Sequence, residues 1–202
     1  MSFPRHAVAL FASLLLLCVG ACASVSVKDA WSDPAFASVR YRKILVLGIS
    51  ANDTNRRVFE DSFARALQTA GVQAVPAYTL IPEGGQVPGA RITEAVQQSG
   101  ADAVMVTRLQ RVEQKTEVTP GMAMPPAYGV GFYRFYGGAW ASTPPTVSQY
   151  DVLTLESTLW DAAQQKAAWS AVSEAVDPQQ VSKLTDELAK ALIEKLKADG
   201  KI

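Results

Sequence analysis

Apolar and polar positions recur along this chain with two different periods, and the alternation between them outlines an α/β domain. Lys43-Ile44-Leu45-Val46-Leu47-Gly48-Ile49 is almost unbroken apolar sequence, as expected of a central strand covered on both faces. A helix is predicted next, over residues 55–70. Phe59, Phe63, Ala66, Leu67 and Ala70 recur at helical spacing, Asp53 or Thr54 is placed to cap it, and Gly71 to stop it. Residues 72–75 read as a second strand closed by Pro76, and residues 82–89 as a Pro/Gly loop. A short helix over 91–98 carries Ile92, Ala95 and Val96 and ends at Gly100. A third strand starts at Asp102 and continues as a polar ribbon towards Val118. Right-handed crossovers make these three strands a parallel sheet of order 2-1-3.

Beyond a long loop the period falls to two. Leu153, Leu155, Ser157 and Leu159 alternate with Thr154, Glu156 and Thr158, and residues 166–176 return after a turn as a partner strand. This hairpin extends the sheet antiparallel to the third strand. Asp177-Pro178-Gln179-Gln180 then has the order of a helix start, Asp at N-cap, Pro at N1 and Gln at N3. Val181, Leu184, Leu188, Leu192 and Leu196 form one apolar stripe behind it, and Gly200 ends it. The expected architecture is therefore β-α-β-α-β-β-β-α, a mixed sheet of about five strands with helices packed on it, occupying residues 40–202.

The first residues follow another pattern. Arg5 and His6 precede an apolar run from Ala7 to Val19, and Gly20-Ala21 stand directly before Cys22. The run is shorter than the roughly 20 residues of a transmembrane helix, and its layout is that of an export signal. The sequence Val19-Gly20-Ala21-Cys22 matches a bacterial lipoprotein signal, with residues 1–21 removed and Cys22 lipidated. Cys18 has Leu17 rather than a small residue before it and leaves with the signal. Ala23 is compatible, by resemblance to Gram-negative lipoproteins, with sorting to the outer membrane. Several acyl chains make a stable anchor, so a periplasm-facing tethered protein is expected. Residues 22–39, small and polar with a turn signal at Asp33-Pro34, read as its tether, with Trp31 and Phe36 docking on the domain surface.

Cleavage changes the chemistry on offer. His6 is the sole histidine and Cys18 one of two cysteines, so the mature chain keeps no histidine and no free thiol. Zinc and copper sites draw on those ligands, and a Ser-His-Asp triad needs a histidine. No metal and no cofactor are therefore expected, and no catalytic residue is assigned. No G-x-S-x-G or P-loop occurs, and Gly129-Val130-Gly131 lies in a loop rather than after a strand. A Ser-Lys pair has no motif to mark it. Glu60 and Asp61 offer carboxylates for a hard cation, or read as polar residues early in a helix, where negative charge suits the dipole. The chain carries 19 basic and 19 acidic residues. Losing Arg5 leaves 19 − 1 = 18 against 19, or −1, which leaves no electrostatic footprint for nucleic acid or anionic lipid.

Two places could still make contacts. Asn52, Asp53, Thr54, Arg56 and Arg57 follow the first strand, where open α/β sheets commonly bind ligands, and an arginine pair can grip a carboxylate or phosphate. The same residues also serve as a helix cap and a solvated face. The loop 119–150 holds Tyr128, Phe132, Tyr133, Phe135, Tyr136, Trp140 and Tyr150 among glycines and paired prolines. Loops this long are commonly functional or disordered, and aromatics anchor many interfaces. This one folds its aromatics onto its own sheet, meets an envelope protein or glycan, or touches a membrane surface.

Gly100-Ala101-Asp102-Ala103-Val104-Met105-Val106-Thr107 resembles the helix-to-strand junction of the TolB amino-terminal domain and of curli-secretion-type lipoproteins. Leu159-Trp160-Asp161 through Lys166-Ala167-Ala168-Trp169-Ser170 is similar to the hairpin of that group, with Gln164-Gln165 in place of its usual Thr-Gly turn. Together with Thr54-Asn55-Arg56-Arg57-Val58-Phe59-Glu60, residues 40–202 also resemble small bacterial lipoproteins of a domain-of-unknown-function type. The resemblance implies a periplasmic interaction or assembly module and brings no catalytic residues. The expected function is a non-enzymatic, lipid-anchored envelope module. The alternative is a small-ligand carrier or sensor using a pocket at the end of the first strand.

Overall fold

The computed structural model describes residues 25–122, 131, 133, 136–137, 144–178 and 180–202. They form one mixed sheet with helices on both faces. In chain order the elements are β1 (Val25–Ser32), a 3-10 turn (Pro34–Phe36), β2 (Lys43–Ile49), α1 (Asp53–Thr69), β3 (Gln73–Pro76), a second 3-10 turn (Ala77–Thr79), α2 (Gly89–Ser99), β4 (Ala103–Thr119), β5 (Thr146–Asp161), β6 (Lys166–Val176) and α3 (Val181–Ala198). The sheet is six-stranded, in the order β1-β6-β5-β4-β2-β3. β2 runs parallel to β3 and β4, and β4, β5, β6 and β1 follow antiparallel to one another. The parallel 2-1-3 core and the antiparallel hairpin are those the hydrophobic pattern predicts.

The near-continuous apolar run of β2 follows from its two covered faces. Ile44 and Val46 pack with α1 and α3 through Phe63, Leu67, Leu188, Leu192 and Leu196. Leu45 and Leu47 point the other way, into a smaller cluster with Ala77, Ile81, Ala95 and Val104 beneath α2. Gly48 permits the close approach of α1, since a Cβ there would stand 2.9 Å from Phe59 Cδ1. Gly71 and Gly100 end α1 and α2 with φ of 89° and 62°, a region costly for residues that bear a Cβ.

Three expectations need correction. The sixth strand is β1, which lies within the segment expected to be a tether. It pairs with β6 along the sheet edge, with a bulge between Val27 and Asp29. The turn after it drives Phe36 into the main core, where it is fully buried, whereas Trp31 is half-exposed. The carboxyl terminus holds this segment down. Lys201, itself buried, donates from Nζ to the Phe36 carbonyl at 2.8 Å, and its own carbonyl accepts from Tyr41 N at 2.8 Å.

The helix starts also differ. Asn52, not Asp53 or Thr54, caps α1, its side chain accepting from Asn55 N at 3.0 Å. At α3 the N-cap is Gln180, with no side-chain hydrogen bond, because Asp177 adopts φ of 47° and belongs to the turn leaving β6. Of the predicted α3 stripe, Leu188, Leu192 and Leu196 are buried, Leu184 is partly buried and Val181 is exposed. The last turn of α3 is tied to the sheet by Asp199, which accepts from Trp169 Nε1 and Lys195 Nζ, both at 2.8 Å. Burial pushes the Asp199 carboxyl up, but these two donors outweigh it and hold the group below the usual aspartate value.

Candidate functional site: the ribbon end of the sheet

β6 and β4 run in the same direction, so the amino termini of α1 and α3 meet at the end of the sheet where β2 stops. The expected ligand residues lie here. Asp53 sits in the first turn of α1 and receives both arginines, Arg56 Nη2 at 3.1 Å and Arg57 Nε at 2.8 Å. The two guanidinium groups diverge beyond it. Arg56 is 3% exposed and donates from Nη2 to the Ile81 carbonyl at 3.2 Å. Arg57 is half-exposed and lies over the Tyr78 ring, 5.3 Å from its centroid. The carboxylate an arginine pair could grip is thus supplied by the chain itself. Asn52 is spent on the cap. Among these residues Arg56 Nε is buried without a hydrogen-bond partner, and Asp53 Oδ1 has its ion pair with Arg56 but no aligned hydrogen bond.

Glu60 is the residue whose role the sequence misses. One turn beyond Arg56, it is fully buried rather than solvated. Its carboxylate accepts from Gly48 N at 3.1 Å and from Tyr78 N at 2.6 Å. Burial pushes its pKa up, against the two backbone N–H groups and Arg56, which pull it down. Tyr78 is fastened a second time by donating from its hydroxyl to Asp61 at 2.9 Å. That bond raises the phenol's pKa, because it is made to the neutral form. The signal lies in the helix itself: Arg56, Glu60, Phe63, Ala64 and Leu67 are its inward stripe. A search for apolar spacing passes over two charged members of that stripe.

Cavities flank this end. One of about 380 Å³ lies between β2 and the loop before α2, lined by Leu47, Ile49, Ser50, Arg56, Val87 and Ile92. A smaller one of about 170 Å³ opens between α1, α3 and the sheet, at Phe59, Leu109, Leu155, Leu184 and Thr185. A third, of about 430 Å³, runs between α2 and the sheet beside Val106 and the partly exposed Trp160. Among the described residues no group of three or more His, Cys, Asp and Glu side chains is arranged to hold a metal ion, and no helix is long and apolar enough to cross a membrane.

The same end carries the largest departure from a compact domain. β4 pairs with β2 only as far as Arg108, and β5 pairs with β6 only from Val152. Beyond Arg108 β4 continues against β5 alone, Leu109 to Thr119 against Thr146 to Leu155, with a bulge between Leu109 and Arg111, and past the last β6 pair, at Val152, the remainder, Gln114 to Thr119 against Thr146 to Asp151, is a two-stranded ribbon. Val112, Val118 and Val147 lie on one face of this extension of β4 and β5, 53%, 58% and 61% exposed. Arg111, Glu113, Lys115 and Glu117 lie on the other. Of the aromatic residues expected to contact a partner, Tyr133 and Tyr136 are described and exposed. Tyr128, Phe132, Phe135 and Trp140 lie outside the described residues, as do Cys22 and the expected signal.

No protein-family model matches this chain, and no curated protein matches it. Solved structures to which the chain is similar include a PelC dodecamer from Paraburkholderia phytofirmans, at 14% identity and a TM-score of 0.46 over 88% of this chain and 99% of that one. Lipoprotein GNA1162 from Neisseria meningitidis is 18% identical, with a TM-score of 0.41 over 77% and 98%. A neuraminyllactose-binding hemagglutinin homologue from Helicobacter pylori is 10% identical, with a TM-score of 0.38 over 80% and 89%. Likeness at this level carries no argument about activity.

Proposed function

We propose that this chain is a non-enzymatic, lipid-anchored module of the bacterial envelope, held by Cys22 in the outer membrane and facing the periplasm, which works by contacting another macromolecule through its β4–β5 ribbon. The anchor rests on the Val19-Gly20-Ala21-Cys22 sequence. The contact rests on the ribbon. A two-stranded ribbon is marginal in water without a third strand or a packed helix, and among the described residues no third strand pairs with Gln114 to Thr119 or with Thr146 to Asp151. Its exposed valines gain from being covered. A photoreactive residue at Val112 or Val118 of the full chain in intact cells should give covalent adducts, and one at Asp186 on α3 should give none. Adducts from Asp186 alone would sink the reading.

A small-ligand carrier is the second reading, favoured by the mainly apolar 380 Å³ cavity at the end of β2. It predicts that Ile92→Trp, which fills that cavity, abolishes uptake of an apolar fluorescent probe such as anilinonaphthalene sulfonate. Binding left intact by that change would exclude this cavity.

A further inference from the structure

The ribbon's free edge carries a charge pattern that selects one partner. From Leu109 onward the outer edge of β4 has no strand beside it among the described residues, since β2 ends at the Ile49–Arg108 pair. Along that segment one face presents Arg111, Glu113, Lys115 and Glu117, alternating in sign at every second residue. The inner neighbour does not answer these charges. Opposite them on β5 stand Thr154, Val152, Tyr150 and Ser148, in that order. Arg111 turns along its own strand to Glu113 at 3.0 Å, and Lys115 and Glu117 enter no ion pair among the described residues.

We propose that β4 pairs edge to edge, antiparallel, with β4 of a second copy of this chain, in a register centred on Gln114. This rests on the reading of the ribbon as a contact element and names its partner. In that register Arg111 faces Glu117 of the second copy and Glu113 faces Lys115 of the second copy, and two-fold symmetry repeats both pairs. Sliding the strands by one pair in either direction sets like charges opposite one another, which is destabilising in an antiparallel ladder. Sliding by two pairs keeps only part of the matching set. A parallel copy in register would oppose every like charge. The sequence is thus self-complementary in a single full-length alignment, the condition for an isologous two-fold interface. In this register the two bodies stand at opposite ends of the overlap. Each free edge starts where its own β2 stops, so the second copy's strand fills backbone N–H and C=O groups that otherwise face water. Charges on an edge strand also serve to repel other edges, and a chain built for that purpose stays monomeric.

The test uses the full chain in intact cells. Gln114→Cys places two thiols at the two-fold axis, where Cα atoms of facing residues stand about 4.5–5.5 Å apart, within disulfide range. Thr119→Cys places them on the order of 30 Å apart. Oxidation should give a disulfide dimer with Gln114→Cys and none with Thr119→Cys, against the parent chain as blank for Cys18 and Cys22. Adding Lys115→Glu should cut the dimer yield about tenfold, since it turns two attractive pairs repulsive. Exchanging all four signs (R111E, E113K, K115E and E117R together) should restore it. Equal yields at both positions, or a yield indifferent to Lys115→Glu, would overturn the proposal. Adducts from Val112 to a different envelope protein, with no dimer through position 114, would overturn the self-pairing and leave the ribbon as a contact element.

Discussion

At the scale of single residues, Glu60 is a polar tie at the junction between α1 and the sheet. Its two carboxylate oxygens take the N–H groups of Gly48 and Tyr78, which tie the end of β2 and the turn after β3 to one helix. Glu60→Gln keeps a single acceptor oxygen and sets an amide N–H against the other donor. It should lose about 1–3 kcal/mol, the cost of leaving a buried polar group unsatisfied, in denaturant unfolding at neutral pH. The pH dependence has a definite sign. Burial raises the folded-state pKa of Glu60, so between the ordinary carboxylate value and that raised value the folded chain binds a proton the unfolded chain releases. The contribution is present below this window and is lost as pH rises through it. The gap between wild type and Glu60→Gln should therefore narrow as pH rises across the window. A gap that widens would mean the carboxyl is stabilised as the anion.

At the scale of elements, β1 and the turn after it decide how much of the chain is domain. An eight-residue edge strand with only Val25 fully buried offers little periodicity, and the bulge between Val27 and Asp29 breaks what there is. Its charges and its bulge are the ordinary defences of a sheet edge. Phe36 nevertheless fills the core completely. Phe36→Ala should cost about 3–5 kcal/mol, measured by thermal or chemical unfolding, whereas a surface-docked aromatic on a tether would cost little. The helices show the complementary case. α3 reads correctly from its leucine stripe because burial alone organises it. α1 reads with its inner face rotated, because that face includes Arg56 and Glu60.

At the scale of the whole molecule, the ribbon and the amino termini of α1 and α3 share one end, and the proposed anchor at Cys22 lies before β1 in the chain. Cys22→Ser should leave unlipidated precursor and release the protein from outer-membrane fractions, checked by metabolic labelling with a fatty-acid analogue. Retention of that variant in the outer-membrane fraction would overturn the anchor. With the proposed anchor at Cys22, a chain exposing an unpaired strand edge at Leu109 to Thr119 would be suited to meeting neighbours on the same membrane. Confinement to one surface raises the effective concentration of such weak, charge-matched edges.

The sequence by itself determined the order and kind of nearly every element, because burial imposes a period on apolar residues and glycine and proline mark the ends. The 2-1-3 core, the β5–β6 hairpin and the three helices were legible for that reason. Asn52, Asp53, Arg56 and Arg57 stand together at the end of β2. Only the tertiary structure decided what those residues do. It turned Arg56 inward, set Asp53 between two arginines, and buried Glu60 on backbone donors distant in sequence. Such partners leave no local period. The same holds for β1, whose strand exists through pairing with β6, and for the alternating charges of β4. On the sequence those charges are a polar ribbon, and they become a matched edge only once β2 is seen to stop at Arg108.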